Sequence, residues 1–182
     1  FPGGGAGIVA GSGLSLAGTE FHQHGGSRLS VHFSKNLSFT RMSMHDNVGA
    51  GLLIDFSPDA NATVSDSSSA GNLGEGIAIR DSSTVIVRGN DLFGNCAGII
   101  LMETLLSSGA TRSVVKNNLV HDNNRLCDSS ATGSSVLSGV GIGIRGTTSV
   151  DLFQNTINVH TRQPGSSTSG GKNRRVATSS KT

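Results

Sequence analysis

Five charged residues stand where short apolar runs end, and their types fit the chemistry of polysaccharide cleavage. Asp81 and Glu103 supply two carboxyl groups, Asp55 supplies a third, and Arg80 and Arg145 supply guanidinium groups. Two nearby carboxylates repel each other, so one holds its proton more tightly and the pair divides into acid and base. Glycoside hydrolysis uses such a pair, and arginine binds the carboxylate of a uronic acid with two hydrogen bonds. We therefore interpret Asp81 and Glu103 as candidate catalytic residues, and Asp55, Arg80 and Arg145 as candidate substrate-binding residues.

Histidines form a second group of candidates. His22 and the histidine two residues later alternate, so both rings could lie on one side of a strand, but no third ligand follows at a metal-binding spacing. His45-Asp46 and His121-Asp122 form a repeated dipeptide, offset by about one residue between the two copies. A histidine beside a carboxylate can act as a base, although turn composition also explains both pairs. The sequence accordingly predicts no metal site.

The elements that must position these residues follow from a repeat. Glycines open short apolar runs at Gly51, Gly76 and Gly98, at intervals of 25 and 22 residues. Each run is followed by a polar turn, a second alternating apolar pair, and a third pair that often begins with Asn. Three strands in that span make one coil of a triangular solenoid, since alternation places every second side chain inside. The sequence predicts an all-β parallel β-helix of about five to six coils, with three short strands per coil.

Alternation also assigns the core and the turn ladders. In the best-preserved coil we expect the apolar side chains to point inward, namely those of Ile77, Ile79, Val85, Val87 and Leu92. An Asn side chain both donates and accepts hydrogen bonds, so stacked asparagines can satisfy one another and the turn backbone. Two such ladders are predicted, one of Asn90, Asn117 and Asn155 and one of Asn47, Asn72 and Asn95.

Laying the coils over one another stacks the charged candidates. The outward positions after the first strand of each coil are His32, Asp55, Arg80, Met102 and Arg145, followed one residue later by Phe33, Phe56, Asp81, Glu103 and Gly146. Asp81 and Glu103 are then neighbours, about 4.8 Å apart along the axis. A surface charge ladder is the alternative interpretation, with Asp81 closing an Asx turn. Insertions at 104–111 and 125–139 are predicted to wall this face, since insertions in solenoids cluster on one face.

Two cysteines and two sequons bear on the cellular compartment. Cys96 and Cys127 lie at corresponding turns of adjacent coils, where Cα atoms about 4.8–5.5 Å apart are within the reach of a disulfide. Two free thiols are the alternative, because the insertion blurs the register. A disulfide would place the protein in an oxidising compartment. Asn36 and Asn61 begin N-glycosylation sequons, which is in keeping with export.

Composition and charge limit the classes of function. The formal charge is +2, but five basic residues and no acidic one lie in 161–182. Nine basic and 12 acidic residues remain in 1–160, a balance of about −3, which argues against a nucleic-acid-binding fold. No apolar stretch approaches the ~20 residues of a membrane span. We predict a β-helix domain over 1–160 and a Gly/Ser-rich basic tail or linker over 161–182.

The repeats also resemble those of a known family. The segments GIAIRDSSTVIVRGNDLFGN, SVVKNNLVHDNN and GVGIGIRGTTSVDLFQNTI are similar to the repeats of the pectate-lyase-like superfamily, which includes the NosD-like and right-handed β-helix region proteins. The resemblance covers about residues 26–160 and implies a right-handed, single-stranded parallel β-helix. It further implies an extracellular, cell-surface or periplasmic location and polysaccharide lyase, hydrolase or epimerase activity. Calcium is a cofactor that the resemblance alone suggests.

Two functions fit these observations. The catalytic motifs of polygalacturonase-like hydrolases, pectate lyases and mannuronan epimerases are absent, as are Trp and Tyr. We predict a secreted or cell-surface protein that interacts with an acidic polysaccharide, and the sequence leaves open whether it cleaves or epimerises that polymer. The alternative is a non-catalytic structural or adhesive solenoid in an extracellular assembly. Since terminal coils need covering, a further protein or chain segment is expected to cap the open ends.

Overall fold

The computed structural model describes residues 5–25, 29–103, 112–127, 138–147 and 149–158, which wind into a parallel β-solenoid. Three sheets of six parallel strands run along it, and each coil contributes one strand to each sheet. The predicted all-β parallel β-helix with three short strands per coil is thereby confirmed. The tail predicted over 161–182 lies outside the described residues, as do 104–111 and most of 125–139.

The strands are short and recur in a fixed order along the chain. The first sheet contains β1 (Ala6–Val9), β4 (Leu29–His32), β7 (Leu52–Asp55), β10 (Glu75–Arg80), β13 (Ala97–Met102) and β16 (Val140–Arg145). The second sheet contains β2 (Ser15–Ala17), β5 (Leu37–Thr40), β8 (Ala62–Ser65), β11 (Val85–Arg88), β14 (Ser113–Lys116) and β17 (Val150–Phe153). The third sheet contains β3 (Glu20–His22), β6 (Ser43–His45), β9 (Ser68–Ala70), β12 (Asp91–Phe93), β15 (Leu119–His121) and β18 (Thr156–Asn158).

The core consists of the inward side chains of all three sheets. Ile77, Ile79, Val85, Val87 and Leu92 are all fully buried, as the alternation predicted. Branched aliphatic residues suit these positions because they pack well on a pleated surface. Thin layers of aliphatic side chains therefore stack along the axis, and most outward positions do not contribute to this core.

Glycine recurs at the start of the first-sheet strands because the coils approach each other closely there. A Cβ atom on Gly76 would lie 2.9 Å from the carbonyl oxygen of Gly98 in the next coil and 2.8 Å from Cδ2 of Leu92. Interiors packed to this density do not accommodate an added methyl group without backbone movement. Packing between coils thus accounts for the glycine of the repeat.

Asparagine ladders run along two corners of the solenoid, and the first of them adjoins the glycines of the first sheet. Asn72 donates a side-chain hydrogen bond to Oδ1 of Asn95 at 2.8 Å, and Asn95 donates one to Asn123 at 2.9 Å. Asn47 joins this ladder through its backbone N–H, which donates to Oδ1 of Asn72 at 3.1 Å. The ladder therefore extends one coil further than the predicted set of Asn47, Asn72 and Asn95.

The second predicted ladder is wrong by one residue. Asn90 donates to Oδ1 of Asn118 at 3.0 Å, and Asn118 donates to Oδ1 of Asn155 at 2.9 Å. Asn117, which the prediction placed in the ladder, is exposed and occupies the left-handed turn position with φ of 54°. The insertion before this coil makes the alignment with the preceding coil ambiguous by one residue. The sequence therefore could not show which of Asn117 and Asn118 belongs to the ladder.

Candidate functional site

The outer face of the first sheet carries a column of charged residues. The strand register aligns His32, Asp55, Arg80, Met102 and Arg145, in the order predicted from the sequence. Asp55 is opposite Arg80, whereas Met102 separates the two arginines. Arg145 is exposed, and Arg80 and Asp55 are half-buried. The column therefore presents cations on either side of a buried methionine.

Asp55 lies between the guanidinium group of Arg80 and the imidazole ring of His32. Oδ2 of Asp55 is 3.9 Å from Nδ1 of His32, and its other oxygen is buried without a hydrogen-bond partner among the described residues. Burial raises the pKa of Asp55, while the charges of Arg80 and His32 lower it and that of Asp81 raises it further. A carboxyl group with a perturbed pKa beside a cation is a candidate for proton transfer or ligand binding.

Arg80 has a partner that the sequence analysis missed. Its Nη2 atom lies 3.2 Å from Oε1 of Glu75, and the Glu75 side chain is almost completely buried. Strict alternation from Ile77 would point Glu75 inward. The tightly packed Gly76 interrupts that alternation, and the charged Gly-Glu-Gly segment was the signal available in the sequence. Glu75 holds Arg80 in place, so we count it as a positioning residue for the column.

The two candidate catalytic carboxyl residues lie on adjacent coils but differ in exposure. The backbone N–H of Asp81 donates to the carbonyl of Met102 at 3.1 Å, and that of Glu103 donates to the carbonyl of Arg145 at 2.9 Å. Asp81 is fully buried, whereas Glu103 is partly exposed. Of the pair, Glu103 is the residue that solvent reaches.

An aromatic pair adjoins this column. The rings of Phe33 and Phe56 stack with centroids 5.8 Å apart and planes inclined by 15°. Phe33 is 63% exposed, so most of this large apolar side chain is in contact with water. The sequence analysis placed both residues in the neighbouring column without assigning them a role. They form a flat apolar surface beside His32 and Asp55.

The outer face of the first sheet is also the location of a second apolar cluster. Ile100, Met102 and Ala97 point away from the core and are nevertheless buried, together with Cys96. Cys127 packs against this cluster and forms a disulfide with Cys96, with Cα atoms 4.9 Å apart. The bond tethers residue 127 to the start of β13.

The disulfide leads to a thiol-count prediction. We expect no reactive thiol in the denatured, unreduced protein and two after reduction, because both cysteines of the chain are in the bond. Closing a 31-residue separation should stabilise the fold by about 3–4 kcal/mol through the lost entropy of the unfolded chain. Denaturant unfolding of the Cys96→Ser/Cys127→Ser protein measures this contribution. Two reactive thiols before reduction would contradict the bond.

The two sequon asparagines are neighbours on adjacent coils. Nδ2 of Asn61 donates to Oδ1 of Asn36 at 2.9 Å on the exposed second-sheet side. A glycan on Asn61 would be attached to the Nδ2 atom that makes this hydrogen bond. Glycans on both residues would be attached to neighbouring coils and would crowd each other. Glycosylation of these residues stays a prediction.

The third sheet carries two histidines in identical surroundings. Nε2 of His45 is 2.9 Å from Glu20 of the preceding coil, and its Nδ1 is 3.0 Å from Asp46. His121 repeats this arrangement three coils further along, with Nε2 3.2 Å from Asp91 and Nδ1 2.9 Å from Asp122. Both histidines end their strands at the same register position, so the predicted offset of one residue is wrong.

The acidic neighbours change the pKa of both rings. Hydrogen bonds to Glu20 and then Asp46 raise the pKa of His45, and the bond to Asp122, with the charge of Asp91, raises that of His121; burial opposes both shifts. The same bond from His45 lowers the pKa of Glu20. Each histidine is therefore charged over a wider pH range than a free imidazole.

These shifts predict how the two histidines titrate. A raised folded-state pKa means that each pair contributes stability below the unfolded value of 6.5 and loses it as pH rises through the folded pKa. We expect NMR titration to give midpoints above 6.5 for His45 and His121. Glu20→Gln should lower the midpoint of His45 and not that of His121, and Asp91→Asn should lower that of His121 and not that of His45. Midpoints at or below 6.5 in the unaltered protein would contradict the pairing.

The described part of the chain contains no cluster of side chains suited to bind a metal ion. No three or more His, Cys, Asp and Glu side chains are grouped there so as to share one ion. Calcium takes six to eight oxygen ligands, so these residues do not fit the calcium that the family resemblance suggested. Likewise, nothing in the described ranges forms a helix with the length and apolarity that crossing a bilayer requires.

Comparison with known proteins gives a family match and a shared fold. The family model described as the right-handed beta helix region matches residues 2–105. A search of curated proteins finds no match to this chain.

Similar solved structures are named as two epimerases and one lyase of polysaccharides. The mannuronan C-5 epimerase AlgE4 A-module of Azotobacter vinelandii is 16% identical over 92% of this chain and 48% of its own, with a TM-score of 0.62. Pectate lyase Pel9A is 19% identical over 72% and 36%, with a TM-score of 0.56. The periplasmic alginate epimerase AlgG is 17% identical over 85% and 42%, also with a TM-score of 0.56. This chain spans less than half the length of each, and at these identities the likeness shows the fold.

Proposed function

Because this chain belongs to the right-handed beta helix region family, we propose that it binds an acidic polysaccharide along the outer face of its first sheet. The similar folds are those of proteins named as epimerases and a lyase of acidic polymers. The disulfide between Cys96 and Cys127 supports a location outside the cytoplasm, in the periplasm, at the cell surface or in the medium.

The observation that carries the proposal is the charged column of the first sheet. Arg80 and Arg145 stand two coils apart, about 10 Å, so one extended polymer can meet both. Guanidinium groups bind planar carboxylates with two parallel hydrogen bonds. Asp55 stands beside Arg80 in the same column, and the small accessible part of its side chain borders the path of the polymer.

The adjacent carboxyl groups give this face a candidate reaction centre. Glu103 is the member that a bound polymer can touch, and Asp81 lies buried beside it on the preceding coil. Asp55, whose pKa burial raises, is a third group able to hold a proton at this face. In the proposal Glu103 contacts the sugar, and the buried Asp81 lies at the equivalent position of the neighbouring coil.

Arginine substitution tests the binding surface. We expect Arg145→Gln to weaken binding of polymannuronate or polygalacturonate roughly tenfold by removing a bidentate contact. The matched control is Arg88→Gln, which removes the same charge from an exposed position of the second sheet. Affinity electrophoresis in low salt, with and without calcium, provides the measurement. Equal loss in both variants, or no binding by the unaltered protein, would overturn the proposal.

The carboxyl pair is tested separately. An Asp81→Asn/Glu103→Gln protein should keep its unfolding transition and lose turnover, followed through the ultraviolet absorbance of unsaturated sugar products, or bind the polymer more weakly. A folded double variant with unchanged binding and turnover would remove this pair from the site.

The alternative function is a non-catalytic structural or adhesive solenoid. It is favoured by exposed apolar side chains on the last described coil, where Ile144 is 42%, Leu152 36% and Ile157 40% exposed. Exposed apolar surface of this kind commonly marks a protein interface. Binding of polymer without any product, together with self-association in sedimentation velocity, would favour this alternative.

A further inference from the structure

The outer face of the third sheet carries a column of rings with one gap. The aligned positions are His22, His45, Ala70, Phe93, His121 and Asn158. The rings of His22 and His45 stack with centroids 5.4 Å apart, and those of Phe93 and His121 with centroids 5.2 Å apart. Ala70 stands between the two stacks, where a further ring would complete the column.

The gap has the dimensions of one ring. Ala70 separates His45 from Phe93 by two coils, or about 10 Å, so an inserted ring would lie about 5 Å from each neighbour. A cavity of about 630 Å³ opens at this point and extends from His45 to Arg125. Its volume lies within the range of about 300–1,000 Å³ that is usual for small-molecule sites.

Polar groups surround the gap on the side facing solvent. Asp46 and Asp122 present carboxylates, and Arg125 and Asn124 present N–H donors, all on the cavity wall. Gly71 keeps the floor open, because a Cβ there would lie 2.6 Å from Oδ1 of Asp46 and 3.6 Å from Nη2 of Arg125. The cavity thus combines two apolar ring faces with closely spaced acceptors and donors.

We propose that this gap, the Ala70 slot formed by His45, Asp46, Ala70, Phe93 and Arg125, binds one neutral pyranose ring. The ring stacks between His45 and Phe93, and its hydroxyl groups bond to Asp46 and Arg125. This binding is independent of the polymer-binding face proposed for the first sheet.

The surrounding charges select a neutral sugar over a uronic acid. Glu20 and Asp91 approach the histidines from the preceding coils, and Asp46 and Asp122 flank the slot itself. Glu20 and Asp91 lie beside the imidazoles of His22, His45 and His121, whereas the slot itself is lined by Asp46, Asp122 and Arg125, so a further carboxylate would meet two carboxylates and one guanidinium there and be repelled. A plain aromatic ring would form no hydrogen bond with the carboxylates and N–H groups of the wall. A polyhydroxylated ring matches both the apolar faces and the polar wall.

Filling the slot with a side chain tests the proposal. Ala70→Phe places a ring between His45 and Phe93, at an outward position where neighbouring coils already carry rings, so folding should be retained. We expect it to reduce binding of glucose or cellohexaose at least tenfold relative to the unaltered protein, since the side chain occupies the site. Thr63→Phe is the matched control, because it introduces the same ring on the second-sheet face of the same coil, and it should bind both sugars normally.

NMR provides the readout and separates the possible sources of the sugar. Added glucose or cellohexaose should shift the ring resonances of His45 and Phe93, and a response to cellohexaose alone would identify a sugar within a chain. Phe93→Leu, which removes one aromatic wall, should weaken the same binding. Arg145→Gln should leave it unchanged, which distinguishes this site from the first-sheet face. The proposal is overturned if Ala70→Phe binds both sugars normally, if neither sugar shifts the two rings, or if only adenosine or oligomannuronate does so.

Discussion

Replacing Ile79 with Asp is expected to lower the free energy of unfolding by about 5 kcal/mol, enough to unfold most small domains. Ile79 is fully buried and pairs in register with Ile54 of the preceding coil and Leu101 of the next. The carboxylate would face three layers of aliphatic side chains without a hydrogen-bond donor. Loss of the isoleucine also removes contacts on both sides along the axis.

The matched control for this substitution lies on the same coil. Ile86 points outward from the second sheet and is 37% exposed, so Ile86→Asp keeps its charge in water. We expect it to change the free energy of unfolding by no more than about 1 kcal/mol. Urea unfolding followed by circular dichroism measures both variants. Equal stability of the two proteins would contradict the alternation assigned to this coil, and a lower stability of the Ile86→Asp protein would mean that the alternation is reversed.

The fold could be predicted from the sequence because the repeat pattern lies within single strands and between adjacent coils. Inward positions such as Ile77 and Val85 follow from alternation within a single strand, and the glycine spacing relates one coil to the next. The periodicity fails after residue 103, where an insertion separates β13 from β14. The misplacement of Asn117 follows directly from that loss of register.

The candidate site was predictable only in part. Asp55, Arg80 and Arg145 end strands of the same sheet, so their column could be read from the alignment. The Glu75 contact with Arg80 could not be read from that alignment: the Gly-Glu-Gly segment marks Glu75 as unusual, but the direction of its side chain depends on the path of the chain at Gly76. Burial of Asp81 was equally inaccessible, since it depends on packing outside the strand rather than on alternation.

The ring column of the third sheet shows a further limit. His45 and His121 share a register position, although the sequence suggested an offset between them. Their common surroundings arise from Glu20 and Asp91, which precede them by 25 and 30 residues. The Ala70 slot is defined by a small residue between rings, and a gap of this kind is visible only when all coils are aligned correctly.

The second large effect is expected at Asn118, where replacement by Ala should cost about 4 kcal/mol, or roughly 1 kcal/mol for each of four lost hydrogen bonds. Oδ1 of Asn118 accepts from the backbone N–H and the side chain of Asn90, at 3.0 Å each. Its Nδ2 donates to the carbonyl of Val87 at 3.0 Å and to Asn155 at 2.9 Å. Because Asn90 and Asn118 are buried, water cannot replace these partners.

Asn117 supplies the comparison that tests the register itself. Asn117→Gly keeps the left-handed conformation that the turn needs and removes a side chain that is exposed to solvent. Its free energy of unfolding should therefore change by no more than about 0.5 kcal/mol. If Asn117 were the ladder residue, the order of the two effects would be reversed, with Asn118→Ala tolerated and Asn117→Gly severe. Chemical denaturation of the two proteins thus decides which member of the Asn-Asn pair carries the ladder across the coil that follows the insertion.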